Sequence, residues 1–179
     1  MKPKFLNFKF ENINSLAIFE YNKTLKKLIF LLKGCFDYEI RDILLLPFLN
    51  EIKFKYRNYF IVPIPSFKDN DIERGFNHVK AIFEVLELPF IDCLKKTINV
   101  SQHNLNFYKR KEIEMIIVLK ERPDLSNKKI LLVDDIMTTG GTLKTCINLI
   151  KTLNPKKIEI LVIAKRILTK EEIKKFNAH

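Results

Sequence analysis

Ile130, Leu131, Leu132 and Val133 form an unbroken apolar run that ends in two adjacent acids, Asp134 and Asp135. A strand without polar positions has both faces buried, as an interior strand does in a sheet covered by helices. After Ile136 and Met137 comes the order Thr138-Thr139-Gly140-Gly141-Thr142, which opens a stretch that predicts a helix over Thr142 to Leu153. Pro155 then separates that helix from a second apolar strand, Ile158 to Ala164. Strand, helix and strand in immediate succession favour parallel pairing through a crossover. The expected class is α/β, a mainly parallel central sheet flanked by helices on both faces.

The rest of the chain fits around that unit. Phe5 to Phe10 and Leu16 to Tyr21 alternate and are rich in aromatics, and Glu11 to Ser15 has turn composition, so a hairpin is expected. Leu25, Leu28, Ile29 and Leu32 fall at helical spacing, with Lys33-Gly34 as a basic last turn and a stop. A second helix is expected from Asp37, ending before Pro47 or kinking there. Tyr59 to Val62 reads as a buried strand entering a loop at Pro63-Ile64-Pro65. Val79, Ile82, Phe83 and Leu86 mark an amphipathic helix, and a further strand is expected near Pro89 to Leu94. Lys95 to Glu114 is polar and without clear period, and a loop of that length in a compact domain is usually functional or disordered. Thr169 to Glu172 has capping-box spacing for a last short helix. With no internal repeat or low-complexity linker, residues 1–179 are expected to form a single domain, residues 1–57 being a hairpin and helices packed on it.

At 179 residues and 47% hydrophobic, the chain can bury about 70% of the surface its unfolded form exposes. The formal charge of +11 attracts polyanions, whether nucleic acid, phosphorylated metabolites or an anionic surface, and does not choose among them. The lysines are spread along the chain, as an A/T-rich genome would also produce. Cys35, Cys93 and Cys146 are odd in number and far apart, which suits neither a disulfide framework nor a paired zinc site and fits a reducing, cytoplasmic setting. The apolar runs at Leu28 to Leu32 and Ile43 to Leu49 are well short of the roughly 18 residues of a spanning helix, and no signal-peptide pattern is visible, so the chain reads as soluble.

The chemistry is concentrated after Val133. Two carboxylates arrive at the C-terminal end of a parallel strand, where open α/β sheets bind ligands. Glycines let the backbone turn tightly and approach a ligand, and threonine hydroxyls can donate hydrogen bonds. The N–H groups that begin the helix face the same spot and favour an anion. Carboxylates accept from hydroxyls while the amide-rich loop takes a phosphate, and a ribose bearing a 5'-phosphate supplies both. A Walker loop would need Lys-Ser/Thr where Thr142-Leu143 stand, and the G-x-G-x-x-G of dinucleotide folds is absent. An ordinary strand-to-helix turn explains a glycine but not the full acid-acid and Thr-Thr-Gly-Gly-Thr order.

These thirteen residues, Ile130 to Thr142, resemble the phosphoribosyl-pyrophosphate motif of type I phosphoribosyltransferases almost position for position. Within that superfamily the sequence is most similar to the ComF, or competence protein F, family. Tyr21 with Leu28-Ile29 and Leu32-Lys33 looks like that family's N-terminal helix signature. Val62-Pro63-Ile64-Pro65 and Arg74-Gly75-Phe76-Asn77 resemble its V-P-x-P and R-G-F-N blocks, and Thr97, Gln102, Leu105 and Arg110 lie as in its T, Q-x-x-L and R stretch. The likeness runs from about Leu16 to Arg166.

The resemblance implies a type I phosphoribosyltransferase-like fold with a small hood from about Thr97 to Arg110. It implies that Asp134 and Asp135 hold the ribose hydroxyls, that Thr138, Thr139, Gly140, Gly141 and Thr142 hold the 5'-phosphate, and that Ile64, Pro65, Ser66 and Lys68 approach the pyrophosphate, commonly through a strained peptide bond. Arg74, Arg110 and Lys68 are the candidates for pyrophosphate contact. Mg²⁺ would bridge the phosphates, with Asp134 and Asp135 as its protein side. Two functions follow from the likeness. One is phosphoribosyl transfer to a nitrogenous acceptor with release of pyrophosphate. The other is a non-catalytic competence factor that senses a nucleotide or handles single-stranded DNA, with competence proteins such as a DNA-translocating helicase as partners. The likeness places the protein in the cytoplasm, with the inner face of the membrane as a peripheral location, and leaves the oligomeric state open. Many ComF proteins begin with a four-cysteine zinc ribbon, for which this sequence lacks the cysteines; zinc-dependent docking is expected to be missing or supplied by a partner. His78 and His103 read as ordinary polar or solvent-facing residues, Cys146 as a small buried thiol, and Phe107 and Tyr108 as either base-stacking or hood-anchoring groups.

Overall fold

The computed structural model describes residues 5–34, 44–66, 77–98 and 115–167. Five strands form the main sheet in the order β1, β2, β7, β6, β3. Here β1 is Leu6–Phe10, β2 Ile13–Glu20, β3 Tyr59–Pro63, β6 Lys129–Met137 and β7 Lys157–Lys165. The pairs β2–β7, β7–β6 and β6–β3 are parallel, and β1–β2 is an antiparallel hairpin at one edge. This is the expected α/β arrangement, and β6 lies inside it with Ile130 to Val133 wholly buried.

The helices lie on the two faces. Leu25, Ile29 and Leu32 of α1 (Lys23–Gly34), Ile52 and Tyr56 of α2 (Leu49–Tyr56), and Val79, Ile82 and Phe83 of α3 (His78–Glu84) share one core with Leu131, Val133, Leu161 and Ile163. Leu143, Cys146, Ile147 and Ile150 of α4 (Gly141–Lys151) share the other with Ile130, Leu132, Ile160 and Val162. Alternate residues of each strand thus feed opposite cores, as the pleat requires. Asn22 caps α1 by accepting the Leu25 N–H at 2.9 Å. No helix among the described residues is long and apolar enough to cross a membrane.

Several elements differ from expectation. The hairpin turn is two residues, not five: Glu11 (φ 48°) and Asn12 (φ 63°) are both left-handed, the geometry that matches the strand twist, and Ile13 to Ser15 already belong to β2. The helical stretch at Leu44 and Leu45 gives way to a 3-10 turn over Leu46–Phe48 at Pro47, where an end or a kink was expected, and α2, which was not anticipated as a separate helix, follows directly. The predicted strand at Pro89 to Leu94 is a single parallel bridge from Ile61 to Phe90. Ordered pairing resumes in a separate two-stranded sheet, β4 (Leu94–Ile98) with β5 (Met115–Leu119). Lys95 to Ile98 are therefore strand, not loop, because cross-strand pairing overrides their polar composition. The helix expected from Asp37 and the capping box at Thr169 fall outside the described residues, apart from helical Leu44 and Leu45.

Candidate functional site

The C-terminal ends of β3 and β6 lie side by side, with Pro63 opposite Val133 and the Ile64 N–H donating to Val133 O at 2.9 Å. Two chain segments that the sequence singled out separately therefore meet at one sheet edge. β6 itself runs four residues past the expected strand end at Val133, to Met137, so both carboxylates belong to the strand and alternate across it.

That alternation divides the pair. Asp134 is half-buried, and its Oδ1 accepts the Asp135 N–H at 2.9 Å. It lies on the α4 side, where its charge helps to push up the Cys146 thiol. Asp135 is 5% exposed and lies on the α3 side, its Oδ2 3.8 Å from His78 Nε2. His78 is itself 5% exposed, so its expected solvent-facing position is corrected: it sits in the first turn of α3 within ion-pairing range of Asp135. The two carboxylates face opposite sides of β6. Among the described residues no group of three His, Cys, Asp or Glu side chains could hold a metal ion.

The loop that follows is exposed at Thr138, Thr139, Gly141 and Thr142 and buried at Gly140. Gly140 caps α4 with φ 82° and accepts the Lys144 N–H at 2.8 Å. A β-carbon there would lie 2.4 Å from Phe10 Cζ, so both conformation and space require glycine. The first N–H groups of α4 have no partner within the helix and are presented beside exposed threonine hydroxyls. Backbone N–H groups and hydroxyls presented in this way are suited to an anion.

On the β3 side, Ile64 is buried and Pro65 and Ser66 are half-buried. Every peptide bond among the described residues is trans. Ser66 Oγ accepts from Asn77 Nδ2 at 3.0 Å, while Asn77 Oδ1 caps α3 by accepting the Lys80 N–H at 2.8 Å. One side chain thus ties the β3 loop to the helix that carries His78. Asn77 and His78 follow directly on the Arg-Gly-Phe segment, and a cap residue before an apolar helix was the signal that could have marked them. Lys68, Arg74 and Arg110, with Gln102, His103, Leu105, Phe107 and Tyr108 of the expected hood, lie outside the described residues. Thr97, its first residue, pairs with Ile116 in the β4–β5 sheet.

Comparison with known proteins agrees with this arrangement. The phosphoribosyl transferase domain family matches residues 76–177. The chain is 31% identical over 147 residues to competence protein ComFC of Streptococcus pneumoniae, covering 82% of this chain and 66% of that protein. It is 30% identical over 129 residues to competence protein ComFC of Bacillus subtilis, covering 71% and 53%. Adenine phosphoribosyltransferase of Campylobacter hominis is 33% identical over 104 residues, covering 52% and 56%. The chain thus spans between about half and just under two thirds of the lengths of these relatives. It belongs to the phosphoribosyl transferase domain family and is a ComF-like member of it.

Proposed function

We propose that this chain binds phosphoribosyl pyrophosphate at the β6–α4 loop and serves DNA uptake in natural transformation. The observation that carries the reading is the left-handed, buried Gly140 between a carboxylate-bearing strand end and the start of an eleven-residue helix. In this reading Asp134 and Asp135 accept the ribose hydroxyls, and Thr138 to Thr142 hold the 5'-phosphate. Ile64, Pro65 and Ser66, with Lys68, Arg74 and Arg110, meet the pyrophosphate. Asp134 and Asp135 would be the protein side for Mg²⁺, mainly through the ligand's phosphates, and the ion would supply charge neutralisation there. The reaction is displacement at the anomeric carbon: an acceptor nitrogen forms the new bond and loses a proton to solvent, while pyrophosphate leaves with the electron pair of the broken C–O bond. Positive charge develops on the sugar and negative charge on the leaving group, and carboxylates beside an amide-rich loop are suited to stabilise both.

The test is calorimetric titration of phosphoribosyl pyrophosphate with Mg²⁺ into the wild type and an Asp134→Asn/Asp135→Asn variant, with pyrophosphate release followed over a panel of bases. Loss of two charge-assisted hydrogen bonds should weaken binding by roughly 3 kcal/mol or more, on the order of a hundredfold. A folded wild type that binds nothing refutes the site. Binding without pyrophosphate release leaves a nucleotide sensor.

A second reading, handling of single-stranded DNA together with competence proteins, is favoured by the formal charge of +11 and by the ComFC relatives. It requires affinity for oligonucleotides whose logarithm falls linearly with the logarithm of salt concentration. A location in the cytoplasm, peripheral to the membrane, fits either reading.

A further inference from the structure

The β1–β2 hairpin contains none of the residues just assigned, yet its tip meets the phosphate loop in two independent ways. Phe10 is the first. Its ring occupies the space beside Gly140, with Cζ 2.4 Å and Cε2 2.7 Å from where a β-carbon would stand, and Met137 Cε closes the same space at 3.0 Å. Phe10 is half-buried against the core on the α4 side, the core to which Met137 and Leu143 belong. The second contact is ionic: Glu11 Oε1 lies 3.0 Å from Lys144 Nζ, one turn into α4. The turn that aims these two residues is itself unusual. Glu11 and Asn12 both hold left-handed φ values, which an L side chain such as glutamate resists and glycine accepts freely.

We propose that Phe10 is a positioning residue for the phosphate loop. Its ring backs Gly140 in the left-handed conformation, and that conformation aims the first N–H groups of α4 at the anion. The Glu11–Lys144 pair fastens the hairpin tip where the ring is needed. The inference rests on the reading of Thr138 to Thr142 as a phosphate loop, and it adds a wall to that site from a part of the chain remote in sequence. An apolar residue that merely filled the hairpin could be exchanged for another aromatic without consequence. One that sets the loop could not, because Cζ is the ring atom nearest to where a β-carbon on Gly140 would stand.

Phe10→Tyr is therefore the decisive change, since its hydroxyl extends the ring at Cζ, the atom nearest the Gly140 position, while the ring and its β-propensity are kept. Phe10→Leu is the companion, removing the backing without a clash. The chain has four glycines, so selective ¹⁵N-glycine labelling gives a short spectrum in which Gly140 and Gly141 can be followed without ligand. We expect both variants to stay folded, to shift the Gly140 signal, and to bind phosphoribosyl pyrophosphate with Mg²⁺ more weakly by on the order of tenfold to a hundredfold. Lower thermal stability with unchanged affinity is the result a merely structural role predicts, and it overturns the proposal. A wild type that binds beside a Phe10→Tyr variant that binds equally well overturns the positioning role alone. A wild type that does not bind overturns the phosphate-site reading, and this role with it.

Discussion

The two ends of the parallel strands are built differently. At the N-terminal ends, Tyr59 of β3 donates its hydroxyl to Glu159 Oε1 of β7 at 3.0 Å, and Lys157 Nζ meets the same oxygen at 2.6 Å. Tyr56 packs edge-on against Tyr59 with ring centroids 5.4 Å apart, and Lys129 Nζ lies 5.7 Å from the Tyr59 ring centre. Acid, phenol and ammonium satisfy one another there. A cleft of about 200 Å³ opens beside them, lined by Asn7, Asn14, Lys55, Tyr56 and Glu159. At the C-terminal ends the polar groups are divided instead: Asp134 and Asp135 point to opposite faces, and Thr138, Thr139 and Thr142 stand exposed around a glycine that fits no other residue. A mutually satisfied network stabilises the fold, whereas polar groups presented on a rigid loop are suited to a partner from solution.

Changes at the two ends should therefore separate affinity from stability. The largest effect is expected from Gly140→Ala. A left-handed alanine costs about 1–2 kcal/mol, and the clash with Phe10 adds to it, so the loop must move. Affinity for phosphoribosyl pyrophosphate should fall on the order of a hundredfold, since misplacement of about 1 Å is enough for that. Calorimetry beside thermal unfolding measures both quantities, and a variant that loses stability but keeps its affinity would dissolve the contrast.

Glu159→Ala should show the reverse pattern. Glu159 is 8% exposed, and its removal leaves the Tyr59 hydroxyl without its acceptor, for an expected loss of about 1–3 kcal/mol in urea unfolding. Affinity should stay within about twofold, because the change lies at the far end of the strands from the loop. If affinity falls with stability, the two ends are coupled and the division between them is wrong.

The sequence made the C-terminal end far more legible than the other. An apolar run, paired acids and a glycine pair are local signals, and β6, α4 and β7 appear within a few residues of where their pattern puts them. The long-range partners carry no local signal. Nothing in Phe10 announces that its ring will meet Gly140, and His78 looked solvent-facing because its partner Asp135 is fifty-seven residues away in sequence. Glu159 sits within an apolar strand as a charge that only its Tyr59 and Lys157 contacts explain. The β4–β5 pair was missed for the same reason: Lys95 to Ile98 have loop-like composition, and the pairing that makes them a strand is non-local.

The narrowest effect, a shift in the titration of one thiol, tests how closely the loop end is joined to the core beneath it. Burial pushes the Cys146 thiol up to about 12 from an ordinary 9.0, with the charge of Asp134 as the next cause, and burial pushes Cys93 up to about 11. Both folded values lie above the unfolded one, so the folded state keeps these protons longer. Stability is unaffected by the thiols below about 9 and falls as pH rises from there towards 11 to 12, because the unfolded chain ionises first. Each thiol should contribute about 1.4 kcal/mol of loss per pH unit in that window. The raised values of Tyr59 and Lys157 act in the same direction at the other end, so Cys146→Ala is needed to isolate the thiol: it should flatten the alkaline slope without abolishing it. Asp134→Asn should then lower the Cys146 titration, followed by thiolate absorbance, since the carboxylate is its second cause. A Cys146 titration indifferent to Asp134 would mean that the carboxylate points away from the α4 side, and the division of the acid pair across β6 would have to be redrawn.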